Sequence, residues 1–315
     1  MDKKKILIVS TGVLSAYLSQ FLLKKNYQVF VTTRKIQKKY KNFSKLKIQK
    51  KINFLKLNIL EKKSIEDILV SINPDIIFYF AGQSSIVKSF LNPQETLNSN
   101  YIGCKNFLTI LKNKKLITKF VKANSGYIFS DLSKKTLAKS SLVKPNSPYV
   151  LAQSKAYKLV NKFRKKKVNC YTAIFFNAES SLRPENFFIR KACLFVKKNL
   201  FKKSKLLIGN INLIRDFGWA PELVKGAFYM TKLKPCNLIF ASGQKISLSN
   251  ILNFIFKIKK LNYKNYIKID KKFFRKNEIQ DISCNINTTI MKLKSFKWKP
   301  KIYGKKLIHK IYNNL

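Results

Sequence analysis

The sequence predicts an α/β fold, a doubly wound parallel sheet with a smaller C-terminal lobe. Three observations carry this. Short runs rich in β-branched and aromatic residues recur through residues 1–176, all but one of the runs are followed by a helical pattern, and the runs are predominantly apolar. Strands this apolar are buried on both faces, so helices must cover a parallel sheet above and below, and right-handed crossovers then wind it in two directions.

In chain order, Ile6–Ser10, Gln28–Thr33, Ile52–Leu57, Ile76–Ala81, Lys119–Asn124 and Tyr171–Phe176 read as strands. Helical patterns fall at 14–25, 62–72, 93–113, 149–167 and 185–199. The helix from Tyr149 has a defined start, because Ser147 can cap it and Pro148 sits at its first position, where a missing N–H costs nothing. After residue 177 the pattern loosens into helices with short strands at Leu206–Ile208 and Asn237–Ala241. We therefore expect a dinucleotide-binding part over 1–176 and a mainly substrate-binding lobe over 177–315, with no Pro/Gly/Ser-rich linker between them. Ligands of such sheets bind beyond the carboxyl ends of the strands.

Charge is the most conspicuous feature of the composition, at +51 from 65 Lys and Arg against 14 Asp and Glu. Such an excess would ordinarily point to nucleic acid. Here Lys, Asn, Ile, Phe and Tyr are over-used together, the residues of A/T-rich codons, and the lysines are scattered rather than gathered into one block. Nucleic acid is accordingly not the expected partner. Five cysteines without a C-x-x-C pair argue for reduced thiols, as in the cytoplasm, and against a disulfide frame or zinc site. With His309 as the only histidine, neither a His-based nucleophile relay nor a His-ligated metal centre can be assembled. Lys3-Lys4-Lys5 and the apolar run Ile6 to Leu18 imitate a secretory signal, but read better as strand, turn at Gly12 and helix. No stretch reaches the ~18 apolar residues of a membrane span. Nothing in the pattern excludes a homo-oligomer.

A Rossmann-type dinucleotide fold places G-x-x-G-x-x-G at its first strand–turn–helix, for the tight turn, for approach to pyrophosphate and for helix–sheet packing. This chain has Val9, Gly12 and Ser15 there, so only the central glycine remains. At the end of the second strand, Arg34 and Lys35 stand where a 2′-phosphate would sit and no acidic residue awaits a free 2′-hydroxyl, which favours NADP over NAD.

Four later segments occur in order with short-chain-dehydrogenase spacing. They are Ile77-Phe78-Tyr79-Phe80-Ala81-Gly82-Gln83-Ser84-Ser85, Ser147-Pro148-Tyr149, the stretch from Phe176-Asn177-Ala178-Glu179 through Arg183-Pro184-Glu185-Asn186-Phe187, and Arg215-Asp216-Phe217-Gly218-Trp219-Ala220-Pro221-Glu222. Together they resemble the GDP-mannose 4,6-dehydratases, extended members of the short-chain dehydrogenase/reductase superfamily, from about Lys5 to Trp298-Lys299-Pro300.

The resemblance implies a lyase that uses NADP on GDP-mannose or a related nucleotide sugar. Hydride leaves C4 of the sugar, a carboxylate removes the C5 proton, water leaves from C6 and hydride returns to C6, giving a 4-keto-6-deoxy sugar nucleotide. By position it implies Gly12, Arg34, Asn58, Ala81 and position 153 on the cofactor side. On the substrate side it implies Gln83, Asn177, Arg183, Asn186, Lys191 and Arg215. Guanidinium forks and an ammonium suit a diphosphate, and amides suit sugar hydroxyls. Arg215-Asp216 could instead be a structural ion pair.

The catalytic set departs from the family. Ser125 and Tyr149 keep the hydroxyl and phenol that would polarise the C4 oxygen and exchange its proton. The lysine four residues after the tyrosine is Gln153, which carries no charge to support a phenolate whose reference pKa is about 10. Lys155 cannot replace it, since two further residues turn the helix by roughly 200°. The C5 carboxylate is replaced by Tyr127 and its neighbouring hydroxyl by Gly126, and Asn58 stands where the family has an aspartate near the adenine. The leading reading is therefore a GDP-mannose 4,6-dehydratase-like protein of impaired activity. The alternatives are a related reductase or epimerase, an inactive nucleotide-sugar-binding partner and, from charge alone, an RNA-binding protein.

Overall fold

The computed structural model describes residues 3–130, 132, 137, 140–274 and 278–315. Two compact units divide the chain: one takes the residues up to Ser130 together with Ser141–Phe175 and Val224–Ile239, and the other takes the remainder.

The first unit opens with β1 (Lys5–Val9), α1 (Val13–Lys24), β2 (Gln28–Thr33), α2 (Lys41–Lys45), β3 (Asn53–Lys56), α3 (Lys62–Ile72) and β4 (Ile76–Tyr79). It continues through α4 (Ile86–Leu91), α5 (Pro93–Leu97), α6 (Gly103–Asn113), β5 (Lys119–Ser125), α7 (Pro148–Lys165) and β6 (Cys170–Phe175). The second unit supplies β7 (Asn177–Glu179), α8 (Phe188–Lys197), β8 (Leu206–Ile208) and β9 (Ile214–Trp219). Helix α9 (Ala220–Met230) returns the chain to the first unit for β10 (Asn237–Phe240). The second unit ends with β11 (Lys245–Ser247), α10 (Leu248–Lys257), β12 (Ile267–Ile269), β13 (Asp281–Ile282), α11 (Asn287–Lys292) and α12 (Gly304–Asn313).

In the first unit seven strands form one sheet in the order β10-β6-β5-β4-β1-β2-β3. Every pairing from β3 to β6 is parallel, as the doubly wound expectation requires. The order reverses between β1 and β4, and the crevice beyond the carboxyl ends of these two strands is where such sheets take ligands. The central strands are buried because their sequences leave no polar face: Ile6 to Val9, Ile76 to Tyr79 and Cys170 to Phe175 are all inaccessible. Ile65 and Leu69 of α3, Phe107 and Leu111 of α6 and Val160 of α7 pack into the core on this sheet.

Within that core lies Lys122 of β5, only 1% exposed, its ammonium donating to the Ala123 carbonyl and lying 5.5 Å from the centre of the Tyr79 ring. Burial pushes its pKa down to about 8, with Cys104 opposing.

In the second unit β9 is the central strand, flanked by antiparallel β11 and parallel β13, and β7 also pairs with β9 in parallel. Its core joins Ile189 and Cys193 of α8, Phe217 and Trp219 of β9, Phe256 of α10 and Ile308 of α12.

Several boundaries differ from the sequence expectation for identifiable reasons. The strand expected to run to Ser10 stops at Val9, because Ser10 takes φ +143°, outside the extended range. The helix expected from residue 185 begins at Phe188, after Phe187 in an extended conformation. The helix expected over 93–113 is interrupted by a π-helical turn at Asn98–Ile102. Two side chains inside the turn reach back along the helix, Ser99 Oγ donating to the Glu95 carbonyl and Asn100 Nδ2 to that of Thr96, each on the carbonyl four residues back. Such competition loosens the i→i−4 ladder. The start of α7 follows expectation, with Ser147 Oγ accepting from Val150 N at 3.3 Å and Pro148 at the first position.

No described helix is long and apolar enough to cross a membrane, and no group of described side chains could hold a metal ion. All five cysteines are free thiols and His309 is exposed on α12.

Candidate functional site

The turn from β1 to α1 holds the first candidate group. Val9, expected at the first glycine position, is simply the last buried residue of β1. The positive φ that a first glycine would provide falls on Ser10 instead. Gly12 is exposed and caps α1 with its backbone, while its N–H donates to Ser10 Oγ at 3.0 Å. Ser15, at the third glycine position, is fully buried in the first turn of α1 and its Oγ has no partner.

The other cofactor-side residues are held by the protein to different degrees. Arg34 is exposed and reaches Glu95 at 3.4 Å, a surface pair of little strength. Asn58 uses both ends of its amide locally, donating to Glu61 and accepting from Leu60 N at 3.1 Å. Ala81 is half-buried just past β4, followed by Gly82 at φ +157°, where an added Cβ would strike Asn100 Oδ1.

The catalytic candidates come from β5 and α7, and Asn124 joins these two elements. Its Oδ1 accepts from Ser125 N at 2.7 Å and its Nδ2 donates to the Gln153 carbonyl at 3.0 Å. Ser125, at the end of β5, is buried, with Oγ accepting from Tyr127 N at 3.3 Å. Tyr149 is buried in the first turn of α7, and Tyr127 is half-buried in a 3₁₀ turn after β5.

One turn beyond Tyr149, Gln153 is 5% exposed and donates from Nε2 to Asn100 Oδ1 at 2.8 Å, while its Oε1 has no partner. Asn100 in turn donates to the carbonyls of Gln83 and Thr96, both at 3.0 Å. Its position inside the π turn is what aims it at α7. Gln83 is tied into its own loop, donating from Nε2 to the Ser85 carbonyl at 2.7 Å and to Thr96 Oγ1 at 3.2 Å. Lys155 faces elsewhere, its ammonium 5.8 Å from the centre of the Tyr101 ring.

The second unit carries the substrate-side candidates other than Gln83, on β7, β9, α8 and the loop between β7 and α8. Asn177 donates from Nδ2 to the Asp216 carbonyl at 2.9 Å. Arg183 stacks its guanidinium 3.6 Å from the Phe187 ring centre and lies 3.7 Å from Glu179, a buried carboxylate whose pKa burial raises. Asn186 is exposed in the same loop. Lys191 donates to the Leu207 carbonyl at 2.7 Å beside the Phe273 ring, and burial together with Lys272 lowers its pKa.

Arg215 is 4% exposed and fully engaged, donating to the Ile214 and Gln280 carbonyls and to Glu278 Oε1 at 3.3 Å. Its ion pair is with Glu278 rather than with Asp216. Asp216 accepts from Ser242 N, Ser242 Oγ and Gly243 N and holds the loop between β10 and β11; burial raises its pKa to about 6 against these hydrogen bonds.

Sequence reasoning missed Ser10, Asn100, Asn124, Glu278 and Arg190. The buried Arg190 donates to the Arg183 carbonyl and to Glu185 Oε1 at 3.2 Å, fixing the loop that carries Arg183. The run Asn98-Ser99-Asn100 in mid-helix was the one available signal, since such residues compete with helix hydrogen bonds.

Comparison with known proteins agrees with the motif reading. The sequence model of the family described as GDP-mannose 4,6 dehydratase matches residues 10–311. GDP-mannose 4,6 dehydratase 1 of Arabidopsis thaliana is 28% identical over 97% of this chain and 88% of its own length. The GDP-mannose 4,6 dehydratase of Dictyostelium discoideum is 26% identical over 91% of this chain and 89% of its own. Among solved structures, dTDP-glucose 4,6-dehydratase from Bacillus anthracis in complex with NAD has a TM-score of 0.82 at 15% identity, covering 99% of this chain and 96% of its own. RMD from Pseudomonas aeruginosa complexed with NADPH gives 0.76 at 18%, covering 99% of each chain. At these identities the two structures speak for the fold.

Proposed function

Since the chain belongs to the GDP-mannose 4,6-dehydratase family, we propose that it binds a GDP-hexose and a nicotinamide cofactor and is an impaired dehydratase. The observation that carries this reading is the neutral amide of Gln153, held by Asn100, in place of the family's ammonium.

The protein's groups suit such a cofactor in part. The exposed Gly12 and the first turn of α1 would hold the pyrophosphate, Arg34 a 2′-phosphate, and Gln153 Oε1, which lacks a protein partner, a ribose hydroxyl. When bound, the cofactor supplies acceptance and return of hydride. Arg34 favours NADP over NAD. Its exposed contact to Glu95 costs little to release.

Ser125 and Tyr149 would exchange the proton of the C4 hydroxyl, a role the phenol can fill only slowly without a neighbouring cation. At C5 the turn after β5 offers no carboxylate to take the proton, because Tyr127 occupies that position. Loss of water from C6 depends on that proton transfer and is the step this chain supports least. In the second unit Arg183 and Lys191 are the cations we assign to the diphosphate, and Asn177 and Asn186 the amides we assign to the sugar. Arg215 supports that unit from within.

The test is incubation of the purified protein with GDP-mannose and NADP, followed by mass spectrometry of the nucleotide sugar. Unchanged GDP-mannose, with GDP-mannose binding retained, is the expected result. Rapid loss of water would overturn the impairment.

A further inference from the structure

The geometry points to Ser10 as the residue that sets the dinucleotide affinity of the turn between β1 and α1, its hydroxyl holding an amide that a pyrophosphate oxygen would otherwise take. The inference rests on the reading above that this turn faces a nicotinamide cofactor.

Between Val9, which ends β1, and Val13, which opens α1, stand only Ser10, Thr11 and Gly12. With the positive φ on Ser10, the turn is one residue shorter than G-x-x-G. A glycine at Ser10 would leave the Gly12 N–H pointing into the space before a helix of twelve residues, where an anion gains from both the amide and the helix dipole. Here the side chain that replaces hydrogen at that position carries an acceptor of its own. Ser10 Oγ takes the Gly12 N–H at 3.0 Å, so the donor is satisfied with no ligand.

Two buried side-chain oxygens of the first unit have no partner within the protein. Ser15 Oγ, in the first turn of the same helix, is fully buried without a hydrogen bond, and Gln153 Oε1 on α7 is a buried acceptor without one. The turn is therefore closed by the Ser10 hydroxyl. A dinucleotide must displace the hydroxyl to gain the amide, and the exchange returns little, because one hydrogen bond is broken for each one made.

Three variants separate the hydroxyl from the backbone strain. Ser10→Ala removes the acceptor but keeps a Cβ at positive φ, Ser10→Gly removes both, and Ser10→Thr keeps the hydroxyl. Isothermal titration with NADP should show about tenfold tighter binding for Ser10→Ala, the worth of one freed hydrogen bond. Ser10→Gly should bind at least as tightly, and Ser10→Thr should match the parent protein. Amide hydrogen exchange at Gly12, measured without nucleotide, should be faster in Ser10→Ala than in the parent.

Unchanged Gly12 exchange in Ser10→Ala would overturn the inference at its root, since the hydroxyl would not be holding the amide. Faster exchange with unchanged or weaker NADP binding would overturn the affinity-setting role alone. Faster exchange with no NADP binding by any form would overturn it together with the cofactor reading beneath it.

Discussion

Gln153 on α7 donates its side-chain amide to Asn100 at the centre of the π turn, 2.8 Å away. The contact joins two helices beside the buried Tyr149 with groups that do not titrate. It also leaves Asn100 Oδ1 as a ready acceptor for any donor placed at position 153.

Gln153→Lys should therefore be tolerated, its ammonium donating to Asn100 Oδ1 in place of the amide. Combined with Tyr127→Glu it should raise dehydration of GDP-mannose, because a positioned general base is worth about 10²–10⁴ in rate. Tyr127→Glu alone should do less, as the step at C4 precedes proton removal at C5. Product analysis of protein shown to hold NADP checks this. No gain from the double substitution would place the defect beyond these two positions.

GDP and GDP-mannose should stabilise the protein against heat more than NADP does at equal concentration, because Arg183 and Lys191 remain while the glycine turn is altered. Lys191→Ala should weaken GDP binding, whereas alanine at the surface Lys165 or Lys202 should not. A larger thermal shift with NADP reverses the ordering.

Arg215→Ala should act on folding. It leaves Glu278 without its cation and removes the guanidinium's bonds to the Ile214 and Gln280 carbonyls, a loss of about 3–5 kcal/mol for a broken buried pair. Urea denaturation measures it. Wild-type stability with lost GDP affinity would return Arg215 to the ligand.

Lys122 makes stability depend on pH in the alkaline range. Its amine has a lower pKa folded, about 8, than the ordinary 10.5 of the unfolded chain, so its contribution is fully present above 10.5 and is lost as pH falls through 8. Stability should accordingly rise between these values by about 3 kcal/mol from this group. Lys122→Met should stabilise the protein at pH 7 by a comparable amount and should flatten that rise. A parallel pH profile in the variant would show the ammonium to be accommodated in the core.

Gly82→Ala should disrupt the amide chain from a distance, because the new methyl would strike Asn100 Oδ1 and the residue would sit at φ +157°. A loss of more than about 2 kcal/mol is expected, with the strain and a broken buried hydrogen bond both contributing. Unaltered melting would mean that the loop yields instead.

The parallel sheet was legible in the sequence because burial on both faces demands continuous apolar runs, and Gln28–Thr33 was readable to the residue. The start of α7 was equally clear, since Ser147 and Pro148 act within one turn. The π turn was not, because the side chains of Ser99 and Asn100 that bond back to carbonyls sit inside a helix of ordinary periodicity. Nor was the first-glycine position: spacing put it at Val9, whereas only backbone geometry reveals that Ser10 makes the turn. Arg215 showed the same limit, as its partner Glu278 lies 63 residues away.

Strand β10 lies at one end of the sheet and pairs with β6, yet 61 residues separate the end of β6 from its first residue. On the ribosome β6 emerges first and waits, its apolar edge open, while the intervening chain is made. At about 5–20 residues per second that interval lasts several seconds, ample for an unpaired strand to meet another chain. A fragment ending at residue 176 would never receive its edge strand. Early folding should thus be the most aggregation-prone stage in this protein's life, and the scattered lysines are suited to keeping nascent chains apart.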